Sequence, residues 1–375
     1  MTSLIPTGVD VERLSLTHLA EYLSSGRATL QKMVIRFCHF RGSLAPFWDG
    51  LAKNKSLEQL TIESPKRYNP PGDTDDPADF LAPEACREAL SKNKTLRKLL
   101  FDTMPIGTNS LFLAQVGQGL AVNTTLESFE LRTGSERSED QFRQVFQNGL
   151  SANTSITEMP FILSTSGSVD VLLAGLSAMA RLSSTKRLVG GSRRPCALQR
   201  FKLSLMGNAD TTANNRKVID CFVQNNQSFQ LKHFESCGML GNHGEIPYAE
   251  LAKFISVQQN LERLAFYGQD DDDEKFAALA LEAEKSASII SIRVGNLEFD
   301  DCVDEQLLGP YRDFAEKPNQ TRIMYSVLRN KYRLARLSNE GNVKMLPLVL
   351  GYVLKMSMAF RMVPSHAAVF QQVQG

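Results

Sequence analysis

The sequence lacks most of the patterns that fixed-site chemistry requires. Its 375 residues contain no Cys-x-x-Cys, no Gly-x-Ser-x-Gly elbow, no Gly-x-x-x-x-Gly-Lys loop and no His-Glu-x-x-His. The usual layouts for serine acyl transfer, phosphate cradling and zinc proteolysis are therefore missing. The five histidines (18, 39, 233, 243, 366) follow no triad order, and the six cysteines (38, 86, 196, 221, 237, 302) neither cluster nor pair with His. Such cysteine usage fits a reducing compartment, where Cys serves as a small buried hydrophobe. No metal, no cofactor, no small-molecule substrate and no catalytic residue is expected. Charge of one sign is missing too: 42 Lys+Arg stand against 41 Asp+Glu, a net +1, which draws the chain to neither nucleic acid nor a membrane surface. The longest apolar stretch, Leu346 to Val363, is broken by Lys355 and Arg361 and falls short of the ~20 residues that span a bilayer. The opening Met-Thr-Ser-Leu-Ile-Pro has no basic start and no apolar run, so no signal peptide is expected. The expected location is the cytoplasm.

What the chain has is a recurring phrase. Gly50-Leu-Ala-Lys-Asn54-Lys-Ser-Leu57 returns as Ala89-Leu-Ser-Lys-Asn93-Lys-Thr-Leu96, Gly119-Leu-Ala-Val-Asn123-Thr-Thr-Leu126 and Gly149-Leu-Ser-Ala-Asn153-Thr-Ser-Ile156. After each comes an apolar-x-x-apolar-x-apolar hexapeptide, the pattern of a short strand. Nine such hexapeptides start at Leu30, Leu57, Leu96, Leu126, Ile156, Leu198, Leu231, Leu261 and Ile289, and only Ser236 breaks the pattern. The shortest spacings are 27 to 30 residues, and the longer ones carry insertions. Before most strands, apolar residues stand six and ten positions upstream, as in Leu51 and Phe47 or Leu120 and Val116. A step of four marks one face of a helix. The Asn three residues before the strand suits a left-handed helix C-terminus. Each unit is thus a helix, a stop and a strand, and neighbouring units must stack to bury their apolar faces.

This spacing resembles the leucine-rich repeat family in its long, ribonuclease-inhibitor-like subtype, over roughly residues 16 to 300. The resemblance implies an α/β solenoid, a horseshoe with an inner parallel sheet and outer helices. On that reading residues 1–302 form the solenoid and 303–375 a helical C-terminal cap, with helices over 321–337 and 343–362. The family usually places Asn or Cys eight residues after the first strand Leu. Here Pro65, Met104, Gly134, Ser164, Met206, Met239, Gln269 and Leu297 stand there instead. That side-chain ladder is missing, which predicts irregular turns.

Strand alternation aims positions two, four and six after the first Leu away from the core. Across repeats six to nine this set includes Arg200, Lys202, His233, Arg263, Tyr267 and Arg293. Such a basic stripe with one aromatic suits an acidic protein surface, because Arg and Tyr are common interface anchors. The competing account is that any exposed sheet face carries polar residues for solubility. The five acids Asp270 to Glu274 lack the ligand spacing of a calcium loop and instead favour the N-terminus of the following helix. Six Asn-x-Ser/Thr triplets (Asn54, Asn93, Asn123, Asn153, Asn226, Asn319) are read as repeat composition rather than glycosylation sites. The loop 182–195 and the segment Arg329 to Arg336 are basic, and the latter reads as a solvated helix face. Cys302-Val303-Asp304 matches a triplet of bacterial leucine-rich-repeat ubiquitin ligases, but only 73 residues (375 minus 302) follow it. The expected function is a non-enzymatic module that binds a protein partner on the concave sheet. The alternative is a regulator of GTPase catalysis, because proteins similar in repeat subtype include Ran GTPase-activating proteins. Those carry an acidic tail, whereas this tail is basic.

Overall fold

The computed structural model describes residues 3–4, 16–36, 39–40, 43–63, 66–67, 81–102, 110–132, 143, 145, 149–163, 166–185, 197–205, 211–238, 245–267, 272–295, 297–298 and 318–337. The chain divides into two compact units, Met1–Pro247 and Tyr248–Gly375. The boundary expected between 302 and 303, residues 186–195 of the basic loop, Cys302 and the helix expected over 343–362 lie outside the described residues, while 182–185, expected in that loop, continue the helix Ser166–Thr185. Among the described residues no helix is long and apolar enough to cross a membrane.

The fold is α/β, and its sheet is not closed into a barrel. In the first unit, strands β1 (Ser3–Leu4), β2 (Lys32–Arg36), β4 (Gln59–Glu63), β6 (Lys98–Asp102), β7 (Ser128–Arg132), β8 (Glu158–Leu163), β9 (Arg200–Leu205) and β10 (His233–Gly238) pair in that order. Every one of these pairings is parallel. Two short strands, β3 (His39–Phe40) and β5 (Lys66–Arg67), form a separate parallel pair. Between the strands run α1 (Leu16–Ser24), α2 (Ala45–Lys53), α3 (Pro83–Lys92), α4 (Ser110–Val122), α5 (Ser166–Thr185) and α6 (Thr211–Gln224). Helix α1 packs on α2, α2 on α3, α3 on α4, and α5 on α6. Parallel neighbours require such a crossover, since a tight turn cannot join them.

The first, fourth and sixth hexapeptide positions are core. Leu57, Leu60 and Ile62, then Leu96, Leu99 and Phe101, then Leu126, Phe129 and Leu131, are all buried. Register places the fourth positions side by side, Leu60 beside Met33 and Leu99, and Phe201 beside Met159 and Phe234. Edge-to-face ring contacts join Trp48, Phe101 and Phe129, while Phe201 stacks on Phe234. Trp48 is fully buried and donates its Nε1 hydrogen to the Leu81 carbonyl at 3.0 Å. Ser236, the one break in the pattern, is equally buried, and its hydroxyl donates to Asn215 Oδ1 at 2.7 Å. A buried polar group therefore keeps a partner. The Gly or Ala that opens each phrase lies where helices touch: a Cβ on Gly119 would come within 2.9 Å of the Arg87 carbonyl oxygen and of Leu90 Cβ.

The repeat's Asn does more than stop a helix, and it is not left-handed. Asn54 (φ −68, ψ 140) and Asn93 (φ −65, ψ 131) are extended. Their side chains explain why. Asn93 Oδ1 accepts from the backbone N–H of Thr95 at 2.9 Å and of Leu96 at 2.7 Å, while its Nδ2 donates to the Leu51 carbonyl one repeat back at 2.7 Å. Asn54, Asn123 and Asn153 repeat the arrangement, donating to Leu23, Leu90 and Leu120. The hydroxyl two residues on adds a second rung: Thr95 donates to the Asn54 carbonyl and Thr125 to the Asn93 carbonyl, each at 3.3 Å. A side-chain ladder stands before the strand, distinct from the one expected of the family eight residues after the first Leu. Those later positions lie outside the described residues, apart from Leu297 in a short strand. The ladder also accounts for four Asn-x-Ser/Thr triplets, whose Asn side chains are buried and bonded. In the repeat between Leu198 and Leu231, the turn Asn225–Ser228 follows α6, and the Ser228 hydroxyl donates to the Ala180 carbonyl at 3.2 Å. Val218, Ile219 and Phe222 supply the buried face there.

The second unit contains α7 (Tyr248–Val257), β11 (Arg263–Phe266), a 3-10 turn (Asp273–Phe276) leading into α8 (Ala277–Lys285), β12 (Ser291–Val294), β13 (Leu297–Glu298) and α9 (Pro318–Leu337). β11 and β12 are parallel, and β13 folds back antiparallel on β12 through Gly295 (φ 64). Helix α9 packs on α8 with Ile323, Met324 and Val327 buried. Polar contacts hold it as well, among them Arg329 Nη2 donating to the Ser286 carbonyl at 2.8 Å. Asp273 accepts from the backbone N–H of Asn319 and Gln320 at 3.0 Å each. Glu284 takes Arg322 in a two-pronged pair at 2.6 and 2.7 Å. Buried Asn330 donates to the Ser286 and Ile289 carbonyls, as the ladder Asn residues do toward a preceding repeat. The acid run thus serves two helix starts: Asp272 accepts from Glu274 N–H within its own turn, and Asp273 reaches the start of α9.

Candidate functional site

The residues two, four and six after the first Leu, here the second, fourth and sixth outward positions, alternate with the core residues, and in the first unit they form the solvent-facing side of the sheet. Burial follows that alternation along β4 and β6, while Val34 on β2, Ser128 on β7 and Ser204 on β9 are buried exceptions. Register lines the second positions into one row: Lys32, Gln59, Lys98, Ser128, Glu158, Arg200, His233. Across the strands at the fourth and sixth positions the row changes character. Leu100, Pro160 and Ile162 are half-exposed apolar residues, with Glu130 and Arg132 on the strand between them.

Pro160 sits inside a strand that is paired on both sides, where a missing N–H ordinarily costs a ladder bond. Pairing of β8 with β9 is continuous from Glu158 to Leu163, whereas pairing with β7 stops after Glu158 and resumes at Phe161. Glu158 N–H donates to the Glu127 carbonyl at 3.0 Å. In a parallel ladder the next donor toward β7 falls two residues on, at Pro160, which has none.

The charges at the fourth and sixth positions bond to one another. Arg132 Nε donates to Glu130 at 2.6 Å and its Nη1 to Asp102 at 3.0 Å. Partial burial alone would lower the Arg132 pKa, but its two carboxylate partners outweigh that and raise it. Lys202 pairs with Glu235 at 2.6 Å. Ser204 Oγ and Cys237 Sγ lie 3.0 Å apart.

The six residues singled out from the sequence fall into two groups. In the first unit Arg200 and Lys202 are exposed, and His233 is half-exposed in register with Arg200. The bond to Glu235 means that Lys202 does not offer a bare charge. In the second unit Arg263 is exposed beside Ser291, and the Arg293 guanidinium lies 4.7 Å from the centre of the Tyr267 ring. Alternation alone locates Lys32, Lys98, Leu100, Pro160 and Ile162 on this face as well; their significance comes from register and ion pairing, which the sequence does not display. Among the described residues no group of three or more His, Cys, Asp or Glu is placed to hold a metal ion. The arrangement offers a surface on which charges and half-exposed apolar residues alternate. The chain matches no protein-family model and no curated protein.

Proposed function

We propose that this chain is a non-enzymatic protein-interaction module of leucine-rich-repeat, ribonuclease-inhibitor-like type, with a protein partner docking on the solvent-facing side of the sheet. One observation carries this reading: Leu100, Pro160 and Ile162 are half-exposed on that face, amid charged residues. Half-exposed apolar side chains interleaved with charged ones suit a protein partner, whose apolar groups cover them while its polar groups meet the charges. On the first unit Arg200 adds an anchor of the residue type that dominates interface energetics, and Arg263 and Arg293 offer the same type on the second unit.

The test is affinity capture with the full chain immobilised and bound proteins identified by mass spectrometry. Two face variants, Leu100→Asp/Ile162→Asp and Arg200→Glu/Arg263→Glu/Arg293→Glu, lose partners that the wild type retains. Lys53→Glu, on the exposed side of α2, retains them. Capture unchanged in both face variants refutes the reading.

A further inference from the structure

The charges on the open face of the first unit are distributed unevenly in a way that defines the partner. At the fourth and sixth positions Arg132 is bonded to Glu130 and Asp102, and Lys202 to Glu235. A partner's ion would have to displace a bond already made there. At the second position Lys32, Lys98, Glu158 and Arg200 have no ion-pair partner among the described residues, and the first two and Arg200 are exposed. Three cations against one carboxylate leave +2 on a single row, on a chain whose total is only +1.

The spacing of the row sets the geometry of a ligand. Neighbouring strands lie about 4.8 Å apart, so Lys98 and Arg200, on β6 and β9 with two strands' intervals filled by Ser128 and Glu158, stand three steps or about 14 Å apart. An extended chain advances about 3.3 Å per residue, which places the side chains of residues i and i+4 about 13 Å apart on one side. We infer that this row binds an acidic peptide segment of the partner, lying across the strands with one carboxylate at Lys98 and another at Arg200. Glu158 sits between them and opposes acid at the intervening position. The inference rests on the proposed docking role of this face and specifies the chemistry that it recognises.

The test uses the full chain and three fluorescein-labelled peptides, Glu-Ser, Gln-Ser and Lys-Ser alternating sequences of equal length, followed by anisotropy at 50 and 200 mM salt. The Glu-Ser probe binds more tightly than the other two and weakens at the higher salt, as contacts to exposed charges do. Lys98→Glu and Arg200→Glu each weaken it by at least about threefold, the scale of an exposed charge contact. Glu158→Lys tightens it by a similar factor, a gain that a misfolded variant does not produce. A Glu-Ser probe that binds no better than Gln-Ser, or equally well to all these variants, overturns the inference. If that happens while Leu100→Asp/Ile162→Asp still abolishes capture of the natural partner, the docking face stands and the acidic peptide is discarded.

Discussion

Removing one rung of the asparagine ladder tests the interior logic of the fold. In Asn123→Ala the three shortest bonds of the side chain disappear, Nδ2 to the Leu90 carbonyl (2.6 Å), and Oδ1 from the N–H of Thr125 (2.9 Å) and of Leu126 (2.7 Å), with two longer ones to the Asn93 carbonyl and from the Thr125 hydroxyl (3.4 Å each). Thr125 is half-buried and its N–H can find water, but Leu90 and Leu126 are buried. Each buried group left without a partner costs roughly 1–3 kcal/mol, so the expected loss is about 3–5 kcal/mol in all. Urea denaturation followed by circular dichroism measures it, with exposed Thr124→Ala as the control expected within about 0.5 kcal/mol of wild type. Asn123→Asp separates donor from acceptor. It keeps Oδ1 but turns a carboxylate oxygen toward the Leu90 carbonyl, so it is destabilised at neutral pH. Once protonated, the same carboxyl can donate to that carbonyl, so the folded state holds its proton more tightly than the unfolded one. The recovered stability is therefore complete below the ordinary Asp value of about 3.9 and lost as pH rises through the raised folded value. A loss under about 1 kcal/mol for Asn123→Ala, no larger than an ordinary surface change, refutes the view that the ladder organises the turns.

Gly119→Ala places a Cβ within 2.9 Å of the Arg87 carbonyl oxygen, and the expected loss of about 1–3 kcal/mol for overpacking exceeds the gain of about 1 kcal/mol in helix propensity; a lowered urea midpoint shows it. Asp273→Ala removes the cap from the start of α9 at about 1–2 kcal/mol, and hydrogen exchange of residues 318–337 rises while that of α6 stays unchanged. Burial pushes the thiols of Cys86 and Cys221 up from their ordinary value of 9.0, the latter against opposing bonds from Ser177 and Asn225. Native alkylation at pH 8 followed by peptide mapping therefore labels half-exposed Cys237 before Cys86. Because the unfolded thiols ionise first, stability is complete below that ordinary value and falls as pH rises from it toward the raised folded values.

Much of the interior was legible because the repeats restate it. Period-2 alternation located Leu60, Ile62, Phe129 and Leu131 in the core, and the step of four located Leu51 and Val116 on buried helix faces. The Asn residues stand out as well, but their conformation differs from the one the sequence suggests. Asn is commonly left-handed at a helix end, yet here its extended backbone lets one side chain bridge the following turn and the previous repeat. That bridge depends on a neighbour some thirty residues back, and local propensity contains no such term. Ser236 illustrates the same limit: as an isolated letter it breaks a pattern, and only the position of Asn215 makes it a satisfied core residue. On the open face, alternation identified Lys202 as outward-facing, but its pairing with Glu235 needed the register of β9 on β10.

The same separation bears on why charge at the second positions is informative. Ladder, hydroxyl rung, helix-contact glycine and core positions are each fixed by a packing or hydrogen-bonding requirement, so their identities describe the scaffold. The side chains of Lys32, Lys98, Glu158 and Arg200 carry no such requirement: no side-chain hydrogen bond or ion pair holds them among the described residues, and exposed charges contribute at most about 1 kcal/mol even when paired. Reversing Lys98 should leave the urea midpoint nearly unchanged and still weaken an acidic ligand. Solubility alone would be served equally by Gln, Ser or charges of either sign. An uncompensated +2 row beside rows in which Arg132 and Lys202 are neutralised by their neighbours is better explained by what lies outside the chain than by what holds it together.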